Sequence, residues 1–208
     1  VSGQLVIVTP PAETQLATVA QVQADLPALS DAQAEARLDQ ASALIRQYCR
    51  GRLPLGVAEV RQTWRVARSC VDGGEPAPLY LRQWPVTAVD SVTEGGGALV
   101  EGTDYEITHQ SLLWRLGGAH RRHWSGVVVA QYSGGYTLPA TGDQADLAAA
   151  CVALVTTLDA HAGEAADLRN VSIEGVGNRG FFRPDAGGGT IPASIRQALA
   201  GYRARVIA

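Results

Sequence analysis

The sequence predicts an α+β protein, an α-helical bundle of about four helices carrying an inserted small antiparallel β-module. Two observations lead there. Between Pro78 and Tyr136, short alternating or β-branched runs are separated by Gly-rich turns, the pattern of consecutive hairpins. On both sides of that block, apolar residues recur at helical spacing. The expected organisation is N-terminal helices over residues 12–58 and the β-module over 59–140. Residues 141–208 then supply a long helix, a Gly-rich loop and a C-terminal helix that complete the bundle.

Val1–Pro11 reads as extended and ends at Pro10-Pro11. The spacing of Leu16, Val19, Val22 and Leu26 predicts a first helix over Glu13–Asp25, stopped by Pro27, which lacks the backbone donor. Ser30 is a good N-cap and Asp31 suits the positive end of a helix, so a second helix follows with Leu38, Ala41, Leu44, Ile45 and Tyr48 on one face. Gly51 is a natural residue to end it.

Val60–Val66 predicts a strand, and 69–77 is a Gly/Pro loop. Within the β-block the strands are expected at 78–81, 86–92, 105–108, 112–116 and 127–132, with His109-Gln110 as a tight hairpin turn. Asp143 is a cap for a third helix, Gln144–His161. Its wide apolar stripe of Leu147, Cys151, Leu154, Val155 and Leu158 suggests a well-buried position. Gly163–Thr190 is long and irregular, with Val171-Ser172-Ile173 as a candidate short strand. A last helix opens near Pro192, with Ile195, Leu199, Tyr202 and Val206 on one side.

Composition narrows the chemistry. The chain has 208 residues, 46% of them hydrophobic, as an ordinary globular protein does. No apolar run approaches the roughly 20 residues of a membrane span, and Val1–Pro11 lacks the features of a secretory signal. Cys49, Cys70 and Cys151 are odd in number and dispersed, which argues for buried thiols in a reducing compartment. All 17 basic residues are arginine. A P-loop lysine, a Schiff base and a lysine general base are therefore excluded, and Gly187-Gly188-Gly189-Thr190 is no Walker loop. Charge is uneven: residues 70–168 hold four arginines against twelve acids, whereas 169–208 hold six against two. An acidic partner surface would suit that basic tail.

Catalytic constellations are thin. His120 and His123 have a ligand-like gap, but zinc wants three or four protein ligands, and a polar loop between strands is the simpler expectation. Ser133 lacks the first glycine of a nucleophile elbow, and Ser125 beside Trp124 has no better context. Glu101, Asp104 and Glu106 form an acidic cluster for which hairpin solubility is the simpler reading. Trp64, Trp84, Trp114 and Trp124 fall in or beside strands, where sheet packing is expected, with one or two available as interface anchors. Phe181-Phe182 in the Gly-rich stretch suggests docking on another chain.

Taken in order, the motifs resemble those of a known family. The second helix closes in Tyr48-Cys49-Arg50-Gly51-Arg52. The phrase Leu79-Tyr80-Leu81-Arg82-Gln83-Trp84-Pro85-Val86-Thr87-Ala88-Val89-Asp90-Ser91-Val92 follows. Asp104-Tyr105-Glu106-Ile107, then Val129-Ala130-Gln131-Tyr132-Ser133-Gly134-Gly135-Tyr136, complete the β-block. The end carries Pro192, Ile195, Leu199, Tyr202 and Arg203. This layout resembles the head–tail connector, or adaptor, proteins of long-tailed double-stranded DNA phages and of phage-like gene transfer agents. The chain departs from that pattern in having no lysine in the second helix and a longer Gly163–Thr190 segment.

The resemblance implies a non-enzymatic virion subunit without cofactors, assembled in the bacterial cytoplasm and located at the head–tail interface. It implies a homo-oligomeric ring of about twelve copies between the portal protein and a tail-side stopper or terminator protein. Double-stranded DNA would pass through the lumen without specific binding, which the net charge of −3 suits. In that setting Ile195, Leu199 and Tyr202 would anchor the terminal helix on the portal, with Arg196, Arg203 and Arg205 pairing with its carboxylates. The competing reading of that helix is permanent packing on its own core. Phe181 and Phe182 would contact the neighbouring subunit. Two rival functions fit the residues: a soluble ligand- or carbohydrate-binding β-module, and a metal-dependent hydrolase using the His120–His123 loop or the acidic hairpin.

Overall fold

The computed structural model describes residues 3–50, 53–66, 75–118, 120–160, 170–173, 177–180 and 191–203. Contacts divide the chain into two units, one of Val1–Glu13 with Leu53–Thr137 and one of Thr14–Arg52 with Leu138–Ala208.

The first unit is all β. Its larger sheet holds five strands, β1 (Gly3–Thr9), β2 (Ala58–Val66), β4 (Val86–Glu94), β5 (Gly97–Leu99) and β9 (Gly126–Gly134). They lie in the order β1-β2-β9-β4-β5, and every neighbouring pair is antiparallel. The second sheet is built from β3 (Leu79–Tyr80), β6 (Tyr105–Thr108), β7 (Leu112–Gly117) and β8 (His120–Arg122), with β7 at its centre.

Alternation sets the buried face. Along β2, Ala58, Val60, Gln62 and Trp64 are buried while Arg61 and Arg65 are exposed. Val60, Trp64, Leu81, Val92, Leu113, Trp124, Val128 and Tyr132 share one core. The His109-Gln110 turn forms with φ of 50° and 54°, the primed geometry that matches hairpin twist, and the Ser111 N–H closes it on Thr108 O at 3.2 Å.

The second unit is mainly helical. It holds α1 (Val19–Asp25), α2 (Asp31–Arg50), α3 (Ala145–Ala160) and α4 (Ala193–Ala198), the last continued by a 3-10 turn, Leu199–Tyr202. A two-stranded hairpin joins β10 (Asn170–Ile173) to β11 (Gly177–Gly180). Helix α2 buries Ala34, Leu38, Ala41, Ser42, Ile45 and Cys49, an i, i+3, i+4 stripe, and α3 buries Leu147, Cys151, Leu154 and Val155. The two helices meet where Ser42 Oγ lies 3.6 Å from Cys151 Sγ. Among the described residues no helix is long and apolar enough to cross a membrane.

The expected helical bundle with a small β-insert is overturned. The fold is mixed α+β, with nine strands in two antiparallel sheets beside four helices among the described residues. The reason lies at the N-terminus. The extended lead-in is a full strand, pairing with β2 from Gly3 opposite Trp64 to Thr9 opposite Glu59. The β-unit therefore draws on the start of the chain as well as its middle. Helices α1 and α4, of seven and six residues, are also too short to serve as bundle walls.

Helix α1 starts later than expected, at Val19 instead of Glu13. Thr18 and Gln21 form a capping box, with Gln21 N–H donating to Thr18 Oγ1 at 3.2 Å and Thr18 N–H donating to Gln21 Oε1 at 2.8 Å. Ahead of it, the Leu16 N–H donates to Ser42 Oγ and the Leu16 carbonyl accepts from Ala140 N–H. Those two bonds hold residues 14–17 off the helical path.

Candidate functional site

The C-terminal segment is where sequence reasoning placed partner recognition. Ile195, Leu199 and Tyr202 are buried, packed within the helical unit against α2 and α3. Tyr202 OH donates to Asp146 Oδ1, the carboxylate oxygen that also accepts from Leu147 N–H at the start of α3. The Arg203 guanidinium stands 5.1 Å from the centre of the Tyr48 ring, a cation–π distance. Arg203 is itself exposed, and Arg196 is half-buried with its Nε enclosed. The segment thus holds its apolar side inward and keeps a cation at the surface. Arg205, Val206, Phe181, Phe182 and Cys70 lie outside the described residues.

Residues 120–122, expected as a polar loop, form strand β8, which pairs antiparallel with β7 from Arg115 opposite Arg122 to Gly117 opposite His120. Register explains the difference. Gly118 takes a positive φ of 70°, and the reversal there lets Arg121 lie across the Trp114 ring at 3.8 Å while pairing with Glu106 at 2.8 Å. The arginines between the two histidines are therefore structural members of the sheet. Among the described residues no group of three or more His, Cys, Asp or Glu side chains could hold a metal ion.

The acidic hairpin is likewise engaged. Arg115, with its side chain 6% exposed, donates from Nε to Glu94 Oε2 at 2.8 Å and from Nη1 to Leu116 O and to Asp104. Burial pushes the Glu94 carboxyl up, but hydrogen bonds from Arg115 and from both the N–H and Oγ of Ser125 outweigh it, leaving Glu94 below its ordinary value. Asp104 is lowered chiefly by the Val100 N–H, which donates to Oδ2 at 3.0 Å, with Arg115 adding to it. Glu94 and Asp104 are charge partners of one buried guanidinium, and Ser125 is a cap on that cluster.

The tryptophans divide. Trp64 and Trp124 are core, with Trp124 Nε1 donating to Leu113 O. Trp114 is half-buried, and its Nε1 donates to Thr108 Oγ1 at 2.9 Å. Trp84 packs edge-on against Tyr136, ring centres 6.1 Å apart.

Sequence reasoning missed a buried polar clamp. Tyr132 OH donates to Gln62 Oε1 at 2.7 Å and accepts from Gln83 N–H at 3.2 Å. Gln62 Nε2 donates to Tyr80 O, and Gln83 Nε2 reaches the carbonyls of Pro54, Gly56 and Gly134. This network ties residues 80–83 to β2, β9 and the chain entering β2. The only signal for it was the Tyr132–Tyr136 motif itself, whose glycines prove tightly enclosed: a Cβ on Gly134 would meet Gln83 O at 2.2 Å, and one on Gly135 would meet Gly56 O at 2.3 Å.

No family model matches the chain, and no curated protein matches it in sequence. Solved structures do. The chain is similar to a chain in the virion of a native gene transfer agent particle, at 15% identity and a TM-score of 0.54. It is similar to a chain in the neck of an empty particle of that kind, computed with C6 symmetry, at 17% identity and the same TM-score. A third match is a chain in the neck of a native particle computed with C12 symmetry, at 15% identity and a TM-score of 0.53. Each alignment covers 99% of this chain and 97% of the other. The similarity therefore spans both units, and this chain shares its whole-chain fold with chains of gene transfer agent particles.

Proposed function

We propose that this protein is a structural subunit of the neck of a phage-like particle, a head–tail adaptor. It forms a ring of about twelve copies beneath the portal, and DNA passes through the ring. The observation that carries the reading is the end-to-end fold correspondence with chains of gene transfer agent necks, across the β-unit and the helical unit alike. The site chemistry supports it. Arg115 and Arg121 of the second sheet are spent on Glu94 at the end of β4, on Asp104 just before β6 and on Glu106, as suits a framework more than a reaction centre.

Portal attachment runs through the C-terminal segment in this reading, with a changed division of labour. Burial of Ile195, Leu199 and Tyr202 makes them the mount of the segment. Exposed Arg203, with Arg196 and Arg205, is the set that meets carboxylates on the portal. Phe181 and Phe182 contact the neighbouring subunit. The test is electron microscopy of the purified protein mixed with a candidate portal protein. Rings seated on the portal are expected, and the Arg203→Glu/Arg205→Glu pair should weaken seating while leaving the fold intact. A protein that neither assembles nor binds any portal, or that carries stoichiometric metal lost in His120→Ala, refutes the reading.

A further inference from the structure

The five-stranded sheet is open at both ends, and its ends differ. At one end β1 pairs only with β2 among the described residues. Its sequence, GQLVIVT, has no charge and no proline. It leaves Val6, Ile7 and Val8 exposed at 52%, 40% and 44%. Edge strands in proteins that stay apart are blunted by lysine, proline, inward charge or bulges. Strand β1 carries no charge or proline, and its one register shift lies at its end, between Ile7 and Thr9, leaving Gly3–Ile7 regular. At the other end, β5 covers only Val92–Glu94 of β4, and the Val86 N–H is taken by Gln110 O at 2.9 Å. Residues 87–91, whose pairing with β9 shifts register between Val86 and Ala88 and between Val89 and Ser91, therefore have no strand on their other side among the described residues. Just past β5, Val100 is 61% exposed.

The charges differ in the same sense. The β1–β2 end carries exposed Arg61 and Arg65, with half-buried Glu59 already accepting from Thr9 and Gln131. The β4–β5 end carries exposed Asp90 and Glu101 with no exposed arginine on either strand. Strand direction also fits. Because every neighbouring pair is antiparallel, β1 runs the same way as β5 and opposite to β4. A β1 strand laid along residues 87–91 continues the row that β5 begins and meets β4 antiparallel.

We propose that β1 of one copy adds to the uncovered stretch of β4 in the next copy, joining the five-stranded sheets head to tail. The occupant is a second copy of this chain, selected by the basic-to-acidic match of the two ends and by the opposite directions of the two edge strands. The contact is heterologous, the kind that closes into a ring or runs on as a filament. It rests on the ring reading above and specifies which surfaces make the ring.

The experiment is cysteine cross-linking in a Cys70→Ser background, where Cys49 and Cys151 are buried. Val6→Cys is combined in turn with Thr87→Cys, Ala88→Cys and Asp90→Cys, and ring formation is followed separately by native mass spectrometry and microscopy. A ladder of covalent oligomers from at least one pair, absent from each single variant, is expected. Val6→Lys/Val8→Lys should weaken self-association by about tenfold or more without lowering the unfolding midpoint, because both side chains are exposed in the single copy. Covalent dimers from Val6→Cys alone indicate β1–β1 pairing and overturn the proposal. Rings that form with no pair cross-linking, or that survive the double lysine variant unchanged, overturn it while leaving the ring reading intact. A chain that stays monomeric at all concentrations overturns both.

Discussion

Gly134 and Gly135 allow the packing of the β-unit to be tested against backbone conformation alone. Gly134 is not in the left-handed φ region, yet a Cβ there would sit 2.2 Å from Gln83 O and 3.0 Å from Pro85 O. Reaching ordinary contact requires a shift of more than about 1 Å. The segment that would have to move is pinned: Gln83 Nε2 holds three carbonyls, Gln83 N–H donates to Tyr132 OH, and Pro85 O accepts from Gly135 N–H. Gly134→Ala should therefore cost about 3 kcal/mol or more, at the upper end of overpacking effects. Gly95 is the control for conformation without crowding, with φ of 58° and open space around its would-be Cβ. Gly95→Ala should cost about 1–2 kcal/mol. Gly135 combines both, with φ of 124° and a 2.3 Å approach to Gly56 O, so Gly135→Ala should fail to fold. The assay is urea unfolding followed by the fluorescence of the buried Trp64 and Trp124, both in this unit. Gly134→Ala within about 0.5 kcal/mol of wild type, or less harmful than Gly95→Ala, would refute the reasoning.

Other outcomes follow from the same geometry. Glu94 has a depressed pKa in the folded protein, so its stabilisation is present above the ordinary glutamate value and lost as pH falls through its own lower one; Glu94→Gln should flatten that acid limb in a pH series of melting curves. At neutral pH the same variant strips Arg115 of its closest carboxylate and should cost about 3 kcal/mol, whereas the Glu94→Leu/Arg115→Met pair should cost much less. Burial pushes the Cys49 and Cys151 thiols up to about 11, so both should resist iodoacetamide at pH 8 in the native protein and label fully in urea, read by mass spectrometry. Deleting residues 192–208 should destabilise the helical unit, since Ile195, Leu199 and Tyr202 are buried; a truncated protein with an unchanged melting curve would contradict that packing.

Local signals determined much of the fold. The Ser30 cap and the Leu38–Ile45 spacing led to a helix that runs Asp31–Arg50, reinforced by Gln33, which closes a second capping box on Ser30. Alternation and turn residues led to β6, β7 and the His109-Gln110 reversal, because a tight hairpin is specified by residues adjacent in sequence. What the sequence did not disclose is long-range pairing. Nothing local in GQLVIVT indicates that it pairs with Ala58–Val66, about fifty residues away, and that one pairing turns a presumed insert into a sheet unit containing the N-terminus. The amphipathic tail shows the same limit. Its apolar spacing is equally that of a helix that docks on a partner and one packed at home, and it took the tertiary structure to show Leu199 buried and Tyr202 bonded to Asp146 within the chain. Periodicity states that a face will be covered, whereas what covers it depends on contacts between residues far apart in the chain.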